Sequence, residues 1–392
     1  MPQIGIPAVF YRGGTSKGLF FRREDLPADP ARRDALLLAA LGSPDPYGRQ
    51  LDGMGGGVSS LSKVMLVERS RRPGIDLDYT FGQVAVDEPV IDWTSNCGNL
   101  TSAIAAFGIE TGLVAVAGAT AEVALFNTNT SKTILATLPL AADGKPATRG
   151  DCAIAGVAGS GAPVALEFVA PGGAVTRGLL PTGRPLDRLE VPGLGAIEAS
   201  IVDASNPVVF VRAAALGRHA TESPAALAAD RALLDRLEAI RRAAAVAAGL
   251  AADAEEAGRR WRSSPKVAMV GPPADSVIAT GATLPAGAVD LAVRMISMGK
   301  PHAALPLTGG LCTAAAARIP GTVVAEAAAG AEAGRLRIGH PSGVLEADAR
   351  IVRAGAGWHC EGATVLRTCR KLMQGQVFVP AALAGSREGE TG

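Results

Sequence analysis

The segment TSNCGN at residues 94–99 is followed at once by an alanine-rich apolar run, which predicts a buried helix that begins near Cys97. The first turn of a helix carries unpaired backbone N–H groups and a partial positive charge. Both features favour a thiolate over a thiol and attract carboxylates. The segment therefore predicts a reactive cysteine at the start of a central helix, rather than only a small residue packed in a core.

A second cysteine lies in a similar local context. Cys312 belongs to the segment TGGLCT at residues 308–313, and four alanines follow that segment. Glycine and small polar residues flank both cysteines, as they flank the starts of many helices. The two segments therefore predict two helices that each begin beside a thiol. Such a pair indicates an enzyme that moves protons on a carboxylate substrate.

Strand patterns surround both predicted helices. In the first half, alternating or apolar segments lie at residues 4–10, 19–21, 63–68, 77–86 and 115–126, and helical spacing covers 31–41. In the second half, they lie at 196–211, 267–270, 289–295, 323–326, 335–338, 344–351 and 363–366, and one long helical stretch covers 224–261. Because the order of elements is similar in the two halves, the sequence predicts an α+β fold made of two related domains.

The length of the chain also favours two domains. Its 392 residues are too many for one ordinary hydrophobic core. A segment rich in proline and glycine at residues 181–192 makes a plausible junction. We therefore assign residues 1–184 to an N-terminal domain, which the C-terminal segment 375–392 can complete, and residues 185–374 to a C-terminal domain.

Composition excludes several classes of partner. The 38 basic and 37 acidic residues nearly cancel, and only 4% of residues are aromatic, so no nucleic-acid surface is indicated. No apolar run approaches the ~18 residues that would predict a membrane span. The five cysteines form no CxxC pair, and the four histidines show no metal-ligand spacing. We expect reduced thiols, a cytoplasmic location and no metal site.

Lys63 is the second residue with a chemically informative position. It follows the segment GGGVSSLS at residues 55–62 and precedes an apolar strand pattern. A lysine at such a point is either a surface residue at a strand end or a functional amine whose pKa is lowered by burial. On the local pattern alone the surface interpretation is favoured, because lysines are mostly exposed, and the neighbouring glycines and serines weaken that preference because they describe an open polar site.

Two further polar segments contribute candidates. The loop RGGTSKG at residues 12–18 offers hydroxyls, amides and an ammonium group to a carboxylate, and the apolar pattern after it predicts a returning strand. The segment KPH at residues 300–302 precedes the Cys312 helix. A single histidine in such a segment is more often structural than catalytic.

Taken together, these segments resemble the 2-methylaconitate cis–trans isomerase family, often called PrpF, over nearly the whole chain. The resemblance rests on ordered motifs along both halves. They are RGGTSKG (12–18), GSPDP (42–46), DGMGG (52–56), SKV (62–64), SNCGN (95–99), PTG (181–183), MGKPH (298–302), AARIPGT (316–322) and GHPSG (339–343).

The resemblance implies a diaminopimelate epimerase-like fold, with two pseudo-equivalent domains, a β-barrel-like sheet around a central helix in each, and the active site in the cleft between them. It implies that Lys63 and Cys97 form the acid–base pair and that no cofactor or metal is needed. The candidate residues for binding a small polycarboxylate substrate are Thr15, Ser16, Lys17, Ser60, Asn96, Gly98, Asn99, Lys300, His302, Thr308, Gly309, Gly310 and Cys312.

The expected activity is a cis–trans or allylic proton transfer on 2-methylaconitate or a similar unsaturated tricarboxylate. Because the motifs are shared within the family, a 4-oxalomesaconate tautomerase or a methylitaconate Δ-isomerase remains an alternative. A racemase that uses Cys97 and Cys312 as two thiols is a second alternative. A carboxylate-binding accessory protein without catalysis is a third. A homodimer is compatible with the sequence.

Overall fold

The computed structural model describes residues 2–93, 96–262, 264–331, 334–355 and 357–384. The chain divides into two compact units. The first unit consists of Met1–Ala153, Val157–Leu166 and Arg367–Gly392, and the second consists of Ile154–Gly156 and Glu167–Leu366. Within the described part of the chain, we find no helix that is both long and apolar enough to cross a membrane.

Short helices and strands alternate along both units. The helices are α1 (Pro30–Leu41), α2 (Gly98–Thr101), α3 (Ile104–Glu110), α4 (Pro224–Ala229), α5 (Arg231–Ala247), α6 (Ala254–Arg260), α7 (Leu307–Ala317) and α8 (Val323–Ala327). The strands are β1 (Gln3–Gly13), β2 (Ser16–Arg22), β3 (Lys63–Arg69), β4 (Leu77–Val84), β5 (Ile91–Asp92), β6 (Thr120–Asn127), β7 (Lys132–Pro139), β8 (Val164–Val169), β9 (Asp187–Val191), β10 (Gly195–Asp203), β11 (Pro207–Arg212), β12 (Lys266–Gly271), β13 (Ser276–Val277), β14 (Thr283–Leu284), β15 (Leu291–Ser297), β16 (Lys300–Pro301), β17 (Leu336–His340), β18 (Gly343–Ala354), β19 (Gly357–Arg367) and β20 (Cys369–Pro380).

The first unit is a mixed sheet that packs against a short central helix. Its strands follow the order β20-β1-β2-β3-β4-β6-β7, with β5 paired to β4. The pairs β2–β3 and β4–β6 are parallel, and the other pairs are antiparallel. Helix α2 contacts β1 and β2, while α3 contacts β3, β4 and β6. The buried rings of Tyr11, Phe20 and Phe107 join the sheet to α3, with centroids 5.1 and 5.7 Å apart for the two closer pairs.

The second unit repeats this arrangement. Its strands follow the order β9-β10-β11-β12-β15-β17-β18-β19, with β16 paired to β15. The pairs β11–β12 and β15–β17 are parallel, at the same two places as in the first unit. Helix α7 contacts β10, β11 and β18. The common succession of parallel and antiparallel pairs supports the internal duplication that the sequence predicted only weakly.

Local sequence signals explain several helix ends. The Asp29 carboxylate accepts a hydrogen bond from the Arg32 amide at 2.8 Å and caps α1, which begins at Pro30. Gly42 follows the last residue with φ +72°, a left-handed conformation that suits glycine and ends the helix as predicted.

The long helical stretch predicted for residues 224–261 is three helices. Asp230 ends α4, and its carboxylate accepts a hydrogen bond from the Leu233 amide at 3.0 Å, so it caps α5. Asp253 caps α6 in the same way. Acidic caps inside an otherwise helical pattern therefore divided the stretch. The apolar side of α5 is buried and includes Leu234, Leu237, Ile240 and Ala244.

The strand predicted at residues 323–326 is wrong. This segment begins α8, because the Thr322 hydroxyl accepts a hydrogen bond from the Ala325 amide at 3.0 Å and caps a helix. The two valines that favoured a strand are buried on that helix instead. Tertiary packing has therefore overridden a local β preference.

The observed unit boundaries differ from the predicted ones. Residues 167–184 belong to the second unit, where the Gly173 amide donates to the Asp203 carbonyl oxygen at 2.9 Å and the Asp203 amide donates to the Leu179 carbonyl oxygen at 2.9 Å. Residues 367–374 belong to the first unit, because β20 pairs with β1 over its full length. Hydrogen bonds to Asp203 and the pairing of β20 with β1, rather than proline and glycine content, place these segments in their units.

Candidate active site

Strand pairing brings Lys63 and Ser16 to the same end of the first sheet. Lys63 is the first residue of β3, which runs parallel to β2, and Leu19 pairs with Val64. A Cβ atom on Gly18 would lie 2.5 Å from the Lys63 carbonyl oxygen, so glycine is needed for this close approach. Ser16 begins β2 only two residues earlier and is buried.

The Lys63 side chain is buried, with 7% of the residue exposed. Its Nζ donates to the Gln83 Oε1 at 2.5 Å and lies 4.9 Å from the centroid of the Phe81 ring. Gln83 pairs directly with Lys63 across β3 and β4. The interpretation of Lys63 as a surface residue is therefore excluded.

Gln83 holds its amide group in one orientation. Its Nε2 donates to the carbonyl oxygens of Ser59 and Ser62 at 3.1 and 2.9 Å. Because these two acceptors occupy the amino group, the Oε1 faces the Lys63 amine. Sequence analysis missed Gln83, because nothing in the sequence around it shows that it pairs with Lys63 on the neighbouring strand. Ser60 belongs to the short helical turn Ser59–Leu61, beside these carbonyl groups.

Cys97 directly precedes α2, as the sequence predicted, and 8% of the residue is exposed. Its Sγ donates to the Ser16 Oγ at 3.8 Å, and its carbonyl oxygen accepts from the Thr101 amide at 3.2 Å. Through Ser16, the thiol lies at the same end of β2 as the Lys63 amine. Thr94 and Ser95, which opened the motif, lie outside the described residues.

The turn between β1 and β2 is fixed by residues from distant parts of the chain. Gly14 has φ +51°, and a Cβ atom there would meet the Asn99 Oδ1 at 2.3 Å. The Asn99 Nδ2 donates to the Thr15 Oγ1 at 3.0 Å, and the Arg367 Nε donates to the Asn99 Oδ1 at 3.2 Å. Burial lowers the pKa of Arg367 to about 10, so this guanidinium stays cationic at neutral pH. Sequence analysis did not identify Arg367.

The remaining candidates of the first unit lie around these groups. Gly98 is the first residue of α2. The Asn96 Oδ1 accepts a hydrogen bond from the Asn127 Nδ2 at 2.8 Å. The Lys17 Nζ lies over the ring of Phe10 in β1, 5.6 Å from the ring centroid. The first unit therefore gathers a buried amine, a thiol, hydroxyls and amides near one sheet end.

In the second unit, the structure corrects the prediction for Cys312. Thr308, Gly309 and Gly310 form the first turn of α7, but Cys312 is its sixth residue and is 0% exposed. Its Sγ donates to the Val202 carbonyl oxygen at 3.2 Å, and burial raises the pKa of the thiol. The prediction that a helix begins beside Cys312 is therefore wrong.

An internal alignment identifies the residue that corresponds to Cys97. The segment CGNLTSA at residues 97–103 matches TGGLCTA at residues 308–314, and both enter the central helix of their unit. In this alignment Thr308 corresponds to Cys97, and Cys312 lies one turn further into α7. The second unit therefore presents a hydroxyl where a two-thiol racemase requires a thiol.

Lys300 is the first residue of the short strand β16, and His302 directly follows that strand. Lys300 is exposed, whereas His302 is partly buried and its amide donates to the Met295 carbonyl oxygen at 2.9 Å. Burial, and secondarily the charge of Lys266, lower the pKa of His302 to about 4. The imidazole is therefore neutral at pH 7. Its Nε2 has no hydrogen-bond partner among the described residues.

The lowered pKa of His302 predicts a pH dependence of stability. In the unfolded chain His302 is protonated below its ordinary pKa of about 6.5. In the folded protein it stays neutral until the pH falls to about 4. Stability is therefore lost as pH falls from about 6.5 to about 4, by up to about 3 kcal/mol. We expect His302→Gln to flatten this part of the curve of unfolding free energy against pH, measured with urea. The exposed His359 provides the control variant His359→Gln, and an unchanged slope for His302→Gln would contradict the prediction.

No group of three or more histidine, cysteine or acidic residues among the described positions is arranged to hold a metal ion.

A sequence profile described as "PrpF protein" matches residues 3–380 of the chain. The chain belongs to the PrpF family. It is 42% identical to a 2-methyl-aconitate isomerase of Shewanella oneidensis, over 97% of this chain and 98% of that protein. It is 40% identical to a (4E)-oxalomesaconate Delta-isomerase of Novosphingobium sp., over 95% of this chain and 97% of that protein.

A solved member of the family has the same fold. The crystal structure of a methylitaconate-delta-isomerase superposes with a TM-score of 0.88 at 37% identity, covering 100% of both chains. The α+β fold with two pseudo-equivalent units is thus confirmed. The prediction of an isomerase is likewise confirmed by the family.

Proposed function

We propose that this PrpF-family isomerase transfers a proton on small unsaturated tricarboxylates of the aconitate type, with Lys63 and Cys97 as its acid–base pair. The observation that carries the proposal is the buried Lys63 amine at the start of β3, at the same sheet end as Ser16, whose hydroxyl contacts the Cys97 thiol. An amine and a thiol near hydroxyls and amides are more than carboxylate binding alone requires.

The chemistry of such a substrate suits these groups. An aconitate-like acid carries protons on a carbon next to a conjugated alkene and carboxylate. Removing one proton gives a delocalised dienolate, in which rotation about the former double bond is easier. One member of the Lys63–Cys97 pair removes the proton, and the other returns one either to the same allylic carbon or to the former alkene carbon at the other end of the allyl system, with a shift of the double bond. Hydroxyls and amides near the pair, such as those of Thr15 and Asn99, stabilise the charge that develops on the carboxylate.

Proton exchange with solvent tests this proposal. The purified protein is incubated in deuterated water with a panel that includes trans-aconitate, 2-methylaconitate and oxalomesaconate, and the acids are followed by proton NMR. We expect isomerisation together with deuterium uptake at the allylic carbon. An absence of both across the panel would contradict the proposal. Calorimetric binding of these acids without any exchange would favour a carboxylate-binding accessory protein.

Among the substrates, we propose 2-methylaconitate over oxalomesaconate. A methyl group needs a small apolar wall, whereas an oxalyl arm needs room and a further polar partner. Ala303 and Ala304 follow His302 and offer such a wall, and Leu305, the next residue, is buried against α7. A single methyl group changes selectivity by only ~1–3 kcal/mol.

The ratio of kcat/KM for the two acids, measured on one preparation, decides between them. We expect it to favour 2-methylaconitate. A preference of about tenfold for oxalomesaconate, or ~1.4 kcal/mol in the barrier, would reverse the choice of substrate. That result would leave the roles of Lys63 and Cys97 unchanged.

Gln83 provides a test of how Lys63 is positioned. Replacing it with methionine keeps the length of the side chain but removes the acceptor at 2.5 Å from the Lys63 Nζ. A hydrogen bond to a charged group contributes ~1.5–3 kcal/mol, so we expect kcat to fall by about tenfold or more. KM should change much less, because Gln83 acts through Lys63.

A matched control for this variant lies on the protein surface. There the Lys371 Nζ donates to the Gln374 Oε1 at 3.2 Å in an exposed pair. Gln374→Met should leave both kinetic constants unchanged. If Gln83→Met also left kcat unchanged, the amide would have no part in positioning the amine.

A further inference from the structure

The second unit contains a lysine that corresponds to Lys63. The segment SKVMLV at residues 62–67 matches PKVAMV at residues 265–270, so Lys266 is the first residue of β12 as Lys63 is the first residue of β3. Both strands run parallel to the strand that precedes them in the sheet, β2 and β11. The correspondence therefore rests on both sequence and strand topology.

Strand register places Lys266 on the face that carries the central helix. Ala268 pairs with Met295 across β12 and β15, so these two side chains share a face. Lys266 lies two residues before Ala268 and therefore points to that same face. A Cβ atom on Gly309 would lie 2.6 Å from the Met295 Sδ. The first turn of α7 therefore packs against the Met295 side chain.

Three groups therefore meet at this end of the second sheet. Lys266 is partly buried, and burial lowers the pKa of its amine. His302 lies at the same sheet end, because Met295, to which its amide donates, pairs with Ala268 two residues after Lys266 in β12. The His302 amide is bonded to Met295, the same residue that Gly309 approaches. Thr308 precedes that glycine and adds a hydroxyl.

We propose that Lys266 is a substrate-binding residue, which pairs with a carboxylate of the tricarboxylate substrate and does not act as a second acid–base group. The substrate named here rests on the proposed function. Lys63 has Cys97 as a proton-transfer partner, whereas the corresponding residue near Lys266 is Thr308. A threonine hydroxyl does not ionise near neutral pH as a thiol can, but it hydrogen-bonds well to a carboxylate. Lys266 supplies the charge that makes such a bond strong.

Binding of tricarballylate tests this role without requiring any chemistry. Tricarballylate is a saturated tricarboxylate, so it cannot form the dienolate. We expect Lys266→Met to weaken its binding, measured by calorimetry, by about 10- to 100-fold, the range for loss of one hydrogen bond to a charged group. The KM of the unsaturated substrate should rise similarly, while kcat at saturation stays within about threefold. Lys266→Arg should restore most of the affinity.

Two further variants complete the experiment. Lys145→Met is the matched control, because Lys145 is an exposed lysine whose ion pair with Asp143 spans 3.5 Å. It should bind tricarballylate as the wild type does. Lys266→Gln keeps a polar side chain of similar length and replaces the methionine variant if circular dichroism shows that the latter is unfolded.

Each other outcome has a definite meaning. Unchanged tricarballylate binding by Lys266→Met, or no binding by the wild type, would overturn the carboxylate-binding role. A loss of kcat equal to that of Lys63→Ala, with normal binding, would also overturn it and make Lys266 an acid–base group. Binding that depends on Lys266, without proton exchange on any acid of the panel, would support the carboxylate site and contradict the proposed isomerase chemistry.

Discussion

Lys63→Ala is expected to lower kcat for isomerisation by about 10³-fold or more, because general acid–base groups contribute ~10²–10⁴-fold. The fold should survive the substitution. The variant leaves the Gln83 Oε1 without its donor, which costs about 1–3 kcal/mol, against ~5–15 kcal/mol for a typical domain. The measurements are single-turnover isomerisation of 2-methylaconitate and the urea midpoint of unfolding.

Lys63→Arg separates the charge of this residue from its proton chemistry. The guanidinium stays protonated at working pH, so this variant should fail as a base although it keeps the positive charge. Gln374→Met, which disturbs only a surface pair, provides the reference preparation. Near wild-type turnover by Lys63→Ala would remove Lys63 from the mechanism.

Cys97→Ala should lower kcat by about 10²–10⁴-fold, the contribution of a second proton-transfer group. Cys312→Ala is its matched control, because that thiol is fully buried in α7 and bonded to the Val202 carbonyl oxygen. We expect Cys312→Ala to keep kcat within about threefold, with a small loss of stability from the lost volume and hydrogen bond. Both variants are assayed for isomerisation and for thermal unfolding.

The comparison of the two cysteine variants decides between reaction classes. Equal losses of activity for Cys97→Ala and Cys312→Ala in folded proteins would favour a racemase mechanism that uses both thiols. Racemisation of proline, hydroxyproline or diaminopimelate by the wild type would establish it. Because Thr308, and not a cysteine, corresponds to Cys97 in the internal alignment, we expect neither result.

Part of the candidate site could be predicted from sequence because it depends on local signals. The helix start at Cys97 follows from a polar segment before an apolar run. The entry of Lys63 into β3 follows from a change of pattern at one residue. The same reasoning failed at Cys312, where glycine and threonine mark the start of α7 one turn earlier than the thiol. A local pattern identified the helix but not the position of the side chain within it.

The sequence by itself determined the alternation of strands and helices, the end of α1 at Gly42, the Cys97 helix start and the family. The tertiary structure alone decided which distant groups meet. Gln83 reaches Lys63 through an antiparallel register, and Arg367 reaches Asn99 from the other end of the chain. The match between Lys63 and Lys266 is visible in the sequence. Only the strand order shows that the two lysines occupy equivalent positions in the two sheets. The physical reason is that helix caps and periodicity are local properties, whereas strand register depends on packing across the whole sheet.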